Sequence, residues 1–357
     1  MPDAKPEASP VAFAAATSLR IIAAASLCAA IYYASSVVIT LICSIGIAFV
    51  LDPAVKLLER LRLPRWLASL LMVLLTLALV YLLVYLVYDR IVAFVDDLPR
   101  FVARLRQIVA HIQVTTNSIQ QSTSSILPSA ADSTVPAVRV QQESPWAQFA
   151  LRGIGSLYAF AVTVMFIPFL VFFMLTSKDH IWAATLNLFS VERRQQAEEV
   201  LRGISKMVRE YVLGNILVAL ISAALITPVF AIIELRYALL MGTLAAFLSL
   251  IPYIGVALGM LPPMLIALVQ YDRLEPFLTI ALTVVIVHFL AINFLTPKLV
   301  GHRVKLNALT VTIAMMFWGW LWGGIGLVLA VPLTAALKAV CDNVQALKPY
   351  GAWMGEG

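Results

Sequence analysis

The sequence predicts an all-α, polytopic membrane protein of about six full spans plus two oppositely oriented re-entrant hairpins that together form an inverted repeat. Three observations carry this reading. Of 357 residues, 62% are hydrophobic and 12% charged, against about a quarter charged in soluble domains. The apolar residues gather in long uncharged runs: Ile21 to Leu51, Trp66 to Tyr88, Gly153 to Ser177, Tyr211 to Ile233, Tyr237 to Tyr271, Phe277 to Pro297 and Leu306 to Leu337. Two of the late runs are far longer than the about 20 residues of one span, and each is broken near its middle.

Met1 to Arg20 has no basic start followed by an A-x-A cleavage site and is expected to be a cytoplasmic tail. Residues 21–88 are expected to hold three spanning helices. The 31 uncharged residues from Ile21 to Leu51 make two, parted at Tyr32-Tyr33-Ala34-Ser35-Ser36, and Trp66 to Tyr88 makes the third. In the connection between the second and third, Lys56, Arg60, Arg62 and Arg65 outnumber Asp52 and Glu59, which places that turn in the cytoplasm. From 89 to 146 the chain turns polar, with Asp96, Asp97, Arg100 and Arg104 followed by a Ser/Thr/Gln-rich stretch, so an extracytoplasmic and partly helical excursion is expected. Residues 147–177 return as a fourth span. Residues 178–210 read as cytoplasmic amphipathic helices whose charges, such as Glu192, Arg193 and Lys206, occupy solvated faces.

Residues 211–340 carry the repeat, and 341–357 a cytoplasmic tail. Tyr211 to Ile233 is a full span. The 35-residue run Tyr237 to Tyr271 is interrupted at Ile251-Pro252-Tyr253-Ile254-Gly255, leaving arms of about 14 to 16 residues, or roughly 21 to 24 Å, short of about 30 Å of hydrocarbon. A hairpin dipping in from outside fits, with its non-helical tip surrounded by protein or water. Phe277 to Leu295 spans back to a wholly basic loop, Lys298, Arg303 and Lys305. The 32-residue run Leu306 to Leu337 then repeats the hairpin from inside, broken between Gly319 and Gly326. Two thin, tilted spans in each long run are the other reading, and sequence leaves it open.

Composition also limits function. The net charge of +6 sits mainly in loops beside spans, which marks topology at anionic lipid, and no nucleic-acid partner is expected. Cys28, Cys43 and Cys341 show no ligand spacing, so neither a metal nor a cofactor is expected. H-E-x-x-H, G-x-S-x-G and G-x-x-x-x-G-K-[ST] are all missing from the sequence, which leaves no enzyme or ATP-driven pump signature. An inverted repeat with broken helices implies a secondary transporter with a mid-membrane site for a small polar solute. A sodium or proton antiporter and a non-transporting membrane scaffold are the alternatives.

Several segments in order, Phe166-Ile167-Pro168-Phe169 through Lys178-Asp179, Tyr211-Val212-Leu213-Gly214-Asn215, Ile251-Pro252-Tyr253-Ile254-Gly255, Asn293 with Pro297 and Gly301, and Gly323-Gly324-Ile325-Gly326 through Val331-Pro332-Leu333, resemble the autoinducer-2 exporter family of bacterial permeases. The resemblance implies a multi-pass protein of the bacterial inner membrane that exports a solute, with autoinducer-2 as the namesake and ion antiport proposed for some members. A homo-oligomer is expected. The chain departs from the family pattern at Ala291 and Ile292, where an acidic residue often precedes the asparagine, and at Asn307-Ala308, where His-Pro is common. A carboxylate-coupled mechanism therefore does not carry over.

The candidate substrate-binding residues are those that break helices or place polar groups in them. Pro252 and Gly255 free backbone amides and carbonyls at the first tip, and Tyr253 adds a hydroxyl; anchoring at the membrane interface is its alternative role. Gly323, Gly324 and Gly326 shape the second tip or permit close helix packing. Asn215 and Asn293, near the cytoplasmic ends of the two full spans, are site donors or interhelical glue. His288, the one titratable group within those spans and hairpins, is a proton-relay candidate, with neutral packing as the alternative.

Overall fold

The computed structural model describes residues 10–124, 165–300 and 306–355. Among the described residues every regular element is helical. The described residues form two compact units, one of residues 10–70, 165–209 and 306–355, the other of residues 71–124 and 210–300. The divisions at 70/71 and 209/210 fall inside two long helices, Arg65–Ser124 and Val191–Ile232. Among the described residues, five helices are long and apolar enough to cross a membrane: Ser35–Arg60, Arg65–Arg104, Val191–Ile232, Glu275–Leu299 and Ala308–Asn343.

In the first unit, α1 (Pro10–Tyr33) and α2 (Ser35–Arg60) meet at Ala34. The ladder barely falters there, since Ala34 N donates to Ala30 O and Val38 N to Ala34 O at 2.9 and 3.0 Å. Inside α2, Thr40 and Ser44 hydroxyls donate to carbonyls four residues back, which satisfies them in an apolar setting. The helix α3 (Arg65–Ser124) starts in this unit. The uncharged character ends at Asp89, yet the helix runs on through Pro99, because its amphipathic pattern continues. The most apolar window of its candidate span is only 6% buried, as expected of a helix facing lipid.

The first unit also holds α4 (Met165–Thr176), α5 (Lys178–Asn187) and the start of α6 (Val191–Ile232). The helix α11 (Ala308–Asn343) reverses on itself at Gly323, where φ is 62° and ψ −137°, a combination open essentially only to glycine. Leu321 and Trp322 pack with Ile39 of α2. The base of the hairpin is closed by Asn307, which caps α11 through Thr310 N and donates to the carbonyls of Trp353 and Gly355 at the end of α12 (Lys348–Met354). The departure at Asn307 from the familiar His-Pro pair thus has a structural use.

In the second unit, α7 (Ala238–Leu248) and α8 (Gly255–Gln270) form an antiparallel pair. Its base is tied by the Gln270 side chain, which donates to Glu234 O and accepts from Arg236 N at 2.7 and 2.8 Å. Tyr271 OH adds a bond to Ile233 O at 2.6 Å. Small residues allow the arms to touch: a Cβ on Gly259 would meet Ala245 O at 2.7 Å, and one on Gly242 would meet the Thr227 hydroxyl of α6. The core beneath joins Ile226 and Phe230 of α6, Met241 and Ala245 of α7, Ile266 of α8, and Ile280, Val284 and Val287 of α9 (Glu275–Leu290). A π-helical turn, Ala291–Leu295, and the short α10 (Thr296–Leu299) complete the unit.

Candidate functional site

The first hairpin tip, residues 249–254, is non-helical because Pro252 cannot continue α7 and Tyr253 sits in the left-handed region at φ 62°. Ile254 N closes on Pro252 O at 2.7 Å. Gly255 is obligatory there, since a Cβ would lie 2.5 Å from Ser249 O. Tyr253 is 63% exposed, so its ring is not a core group.

His288 of α9 faces the Ser249 backbone at the end of α7, where the last carbonyls lack a helical donor. The neighbouring cluster of Val218, Ala291 and Val300 takes in Tyr211, Leu250, Leu295 and Leu299. The α6 and α10 backbones nearly touch there, as a Cβ on Gly214 would lie 2.8 Å from Leu299 O. This region therefore gathers Asn215, the π turn with Asn293, His288 and the first tip in one part of the second unit.

The two asparagines act locally. Asn215 lies one turn after Tyr211, beside its side chain, and Asn293 donates to Phe289 O at 2.8 Å while remaining exposed. The π turn widens the helix at Asn293, a distortion often found at functional sites. What the neighbourhood offers chemically is backbone carbonyls, two amides, an imidazole and the Tyr253 hydroxyl. Among the described residues, no group of His, Cys, Asp and Glu is arranged to hold a metal.

The glycines of the second tip lie in the first unit and differ from one another. Gly323 needs its positive φ, Gly324 faces open space, and a Cβ on Gly326 would lie 1.8 Å from Trp318 O. Sequence reasoning passed over Trp322. Its side chain is buried beside Gly323, and Nε1 has no hydrogen-bond partner among the described residues. An unmet donor in a buried setting is costly unless an acceptor arrives. The signal available in sequence was a tryptophan directly before a double glycine in an uncharged run.

The chain matches the family described as AI-2E family transporter over residues 21–346. It is 30% identical over 191 residues to YrrI of Bacillus subtilis (strain 168), named as a candidate transport protein, with 54% of each chain covered. It is 30% identical over 152 residues to YhhT of Escherichia coli (strain K12), also named as a candidate transport protein, over 43% of each chain. To the AI-2 transport protein TqsA of the same strain it is 31% identical over 136 residues, 38% of this chain and 39% of the relative. The chain spans about half the length, or less, of these curated relatives.

Proposed function

The chain belongs to the AI-2E transporter family and is a multi-pass bacterial inner-membrane protein, and from that premise we propose that it is a secondary transporter for a small polar solute. Both hairpins re-enter the membrane from opposite sides as an inverted repeat, and both tips line the solute's path. The observation that carries this reading is that each unit holds a helical hairpin whose tip contains a positive-φ residue, Tyr253 within the non-helical stretch 249–254 of one and Gly323 at the break of the other, both at φ 62°. Breaks of this kind leave backbone groups for a ligand at membrane depth.

The solute is polar and neutral or anionic. Between Tyr211 and Val340 the carboxylates, Glu234, Asp272 and Glu275, all lie in loops or at a helix start, whereas the tips offer amides, hydroxyls and the Trp322 donor. Autoinducer-2, named for the relative TqsA, is one solute of this class. His288, which faces the Ser249 backbone, helps to position the first tip. The amphipathic segment 178–210 and both chain ends are assigned to the cytoplasm and the polar segment 89–146 to the far side.

The test is reconstitution of the purified protein alone in proteoliposomes with a panel of labelled neutral and anionic polar solutes, autoinducer-2 included. Saturable uptake above protein-free vesicles is expected for at least one. A protein that is inserted and monodisperse but moves none of them, with or without a sodium or proton gradient, is a scaffold and not a carrier.

A further inference from the structure

Asp52 is the one charged residue in the buried set among the described residues, and the transport reading makes no use of it. It sits late in α2, next to Pro53, and three cations surround it. Lys178 Nζ lies 2.6 Å from Oδ2, Lys56 Nζ 3.6 Å from Oδ2, and Arg65 Nη2 3.8 Å from Oδ1. Arg65 also pairs with Asp179 and donates from Nε to Leu175 O at 2.9 Å. The pairing is nevertheless incomplete. Asp52 Oδ1 and Arg65 Nη2 are both buried without a hydrogen-bond partner among the described residues, although they face each other at 3.8 Å, beyond direct hydrogen-bond reach.

Beside this cluster an apolar groove of about 250 Å³ opens between α2, α4, α5 and the start of α6. Ile45, Phe49, Met174, Ile181 and Trp182 form its walls, and Lys178 is its one charged lining residue. The α2–α3 turn and the α4–α5 junction carry five cations, Lys56, Arg60, Arg62, Arg65 and Lys178, against the three carboxylates Asp52, Glu59 and Asp179. The local field is therefore positive on the side that the positive-inside rule assigns to the cytoplasm.

We propose that this is a binding site for one anionic glycerophospholipid, with part of an acyl chain in the Ile45–Phe49–Trp182 groove and the phosphate on Lys178 and Lys56. The charge excess selects an anionic headgroup over a zwitterionic one. Lipid in this place ties α2, α3 and the α4–α5 junction together where Asp52 already links them. The assignment is independent of what the protein transports.

Trp182 reports the occupant directly. In vesicles of phosphatidylcholine doped with brominated-chain phosphatidylglycerol, tryptophan emission is expected to fall further than with equal brominated phosphatidylcholine, and Trp182→Phe removes that excess. Lys56→Gln, a substitution at an exposed residue (58%) that leaves the Lys178–Asp52 contact in place, weakens the preference about fivefold, the effect of one lysine at an anionic surface. Ile45→Trp fills the groove and abolishes the excess measured at longer-chain bromines. Equal quenching by both lipids in the wild-type protein overturns the proposal and leaves ordinary boundary lipid. Competition by free glycerol phosphate at equal strength also overturns it, by making the cluster a soluble-anion site.

Discussion

Trp318 Nε1 donates to Thr334 Oγ1 at 3.1 Å although sixteen residues separate them, a separation that an unbroken helix would stretch to about 24 Å. The bond therefore measures how completely α11 folds back at Gly323. Thr334 is buried, so removing the indole N–H leaves its hydroxyl short of a partner. Trp318→Phe and Thr334→Val are each expected to cost about 1 to 2 kcal/mol in detergent unfolding. The double variant should be no worse than the poorer single, because both changes remove the same contact. Strict additivity would show that the arms do not meet.

The second tip orders its glycines by physical cause. Gly326→Ala should be the most disruptive, since the new Cβ would meet Trp318 O at 1.8 Å and backbone cannot yield cheaply. Gly323→Ala should cost about 1 to 3 kcal/mol for its glycine-only backbone angles. Gly324→Ala should be nearly neutral, because nothing lies within 4 Å of its added Cβ. Thermal stability of the three purified variants checks the ranking, and a destabilised Gly324→Ala would contradict it.

At the base of the first hairpin, the Tyr237 hydroxyl donates to Asp97 Oδ2 at 2.6 Å, and Arg236 Nη1 lies 3.3 Å from the same oxygen. Desolvation first, and then the bond to Asp97 and its charge, raise the Tyr237 pKa from its usual 10.0. A pKa higher in the folded than in the unfolded protein contributes stability that is complete below the unfolded value and lost as pH climbs through the folded one. Unfolding midpoints should therefore fall more steeply above about pH 10 in the wild-type protein than in Tyr237→Phe. Parallel pH profiles would remove the latch.

Trp322→Phe separates solute binding from packing. Its Nε1 makes no bond to a described residue, so the folded protein should lose little stability. Solute flux should fall several-fold, chiefly through a raised KM, if that donor meets the solute. Unchanged flux would return Trp322 to the role of a packing residue.

The hairpins were legible because breakers stand out in uncharged runs. Pro252 with Gly255 marked one tip and the stretch from Gly319 to Gly326 the other, and the structure bends the helices at both. Gly324 was read with its neighbours, yet only Gly323 and Gly326 carry a geometric demand; a glycine's backbone angle and the atoms facing it are tertiary facts. The composition change at Asp89 looked like the end of a helix, but charge ends an apolar run without ending a hydrogen-bonded ladder, and α3 continues to Ser124. His288 was noticed as a lone titratable group, whereas its place beside Ser249 depends on where a distant tip comes to rest. Trp322 looked like one of many aromatic residues until burial left its N–H unmatched. The part of the polar excursion and the return span from 125 to 164 lies outside the described residues, as does Gly301.

The central claim, that both hairpin tips lie on the path of a transported solute, is tested most directly by flux after thiol modification. Cys28, Cys43 and Cys341 are the native cysteines; with these replaced, Tyr253→Cys and Gly324→Cys each place one thiol on an exposed tip position. The account predicts that a bulky maleimide at either position abolishes flux in proteoliposomes at unchanged gel-filtration volume, and that saturating solute slows both modifications. Complete modification of both thiols with flux intact would contradict it.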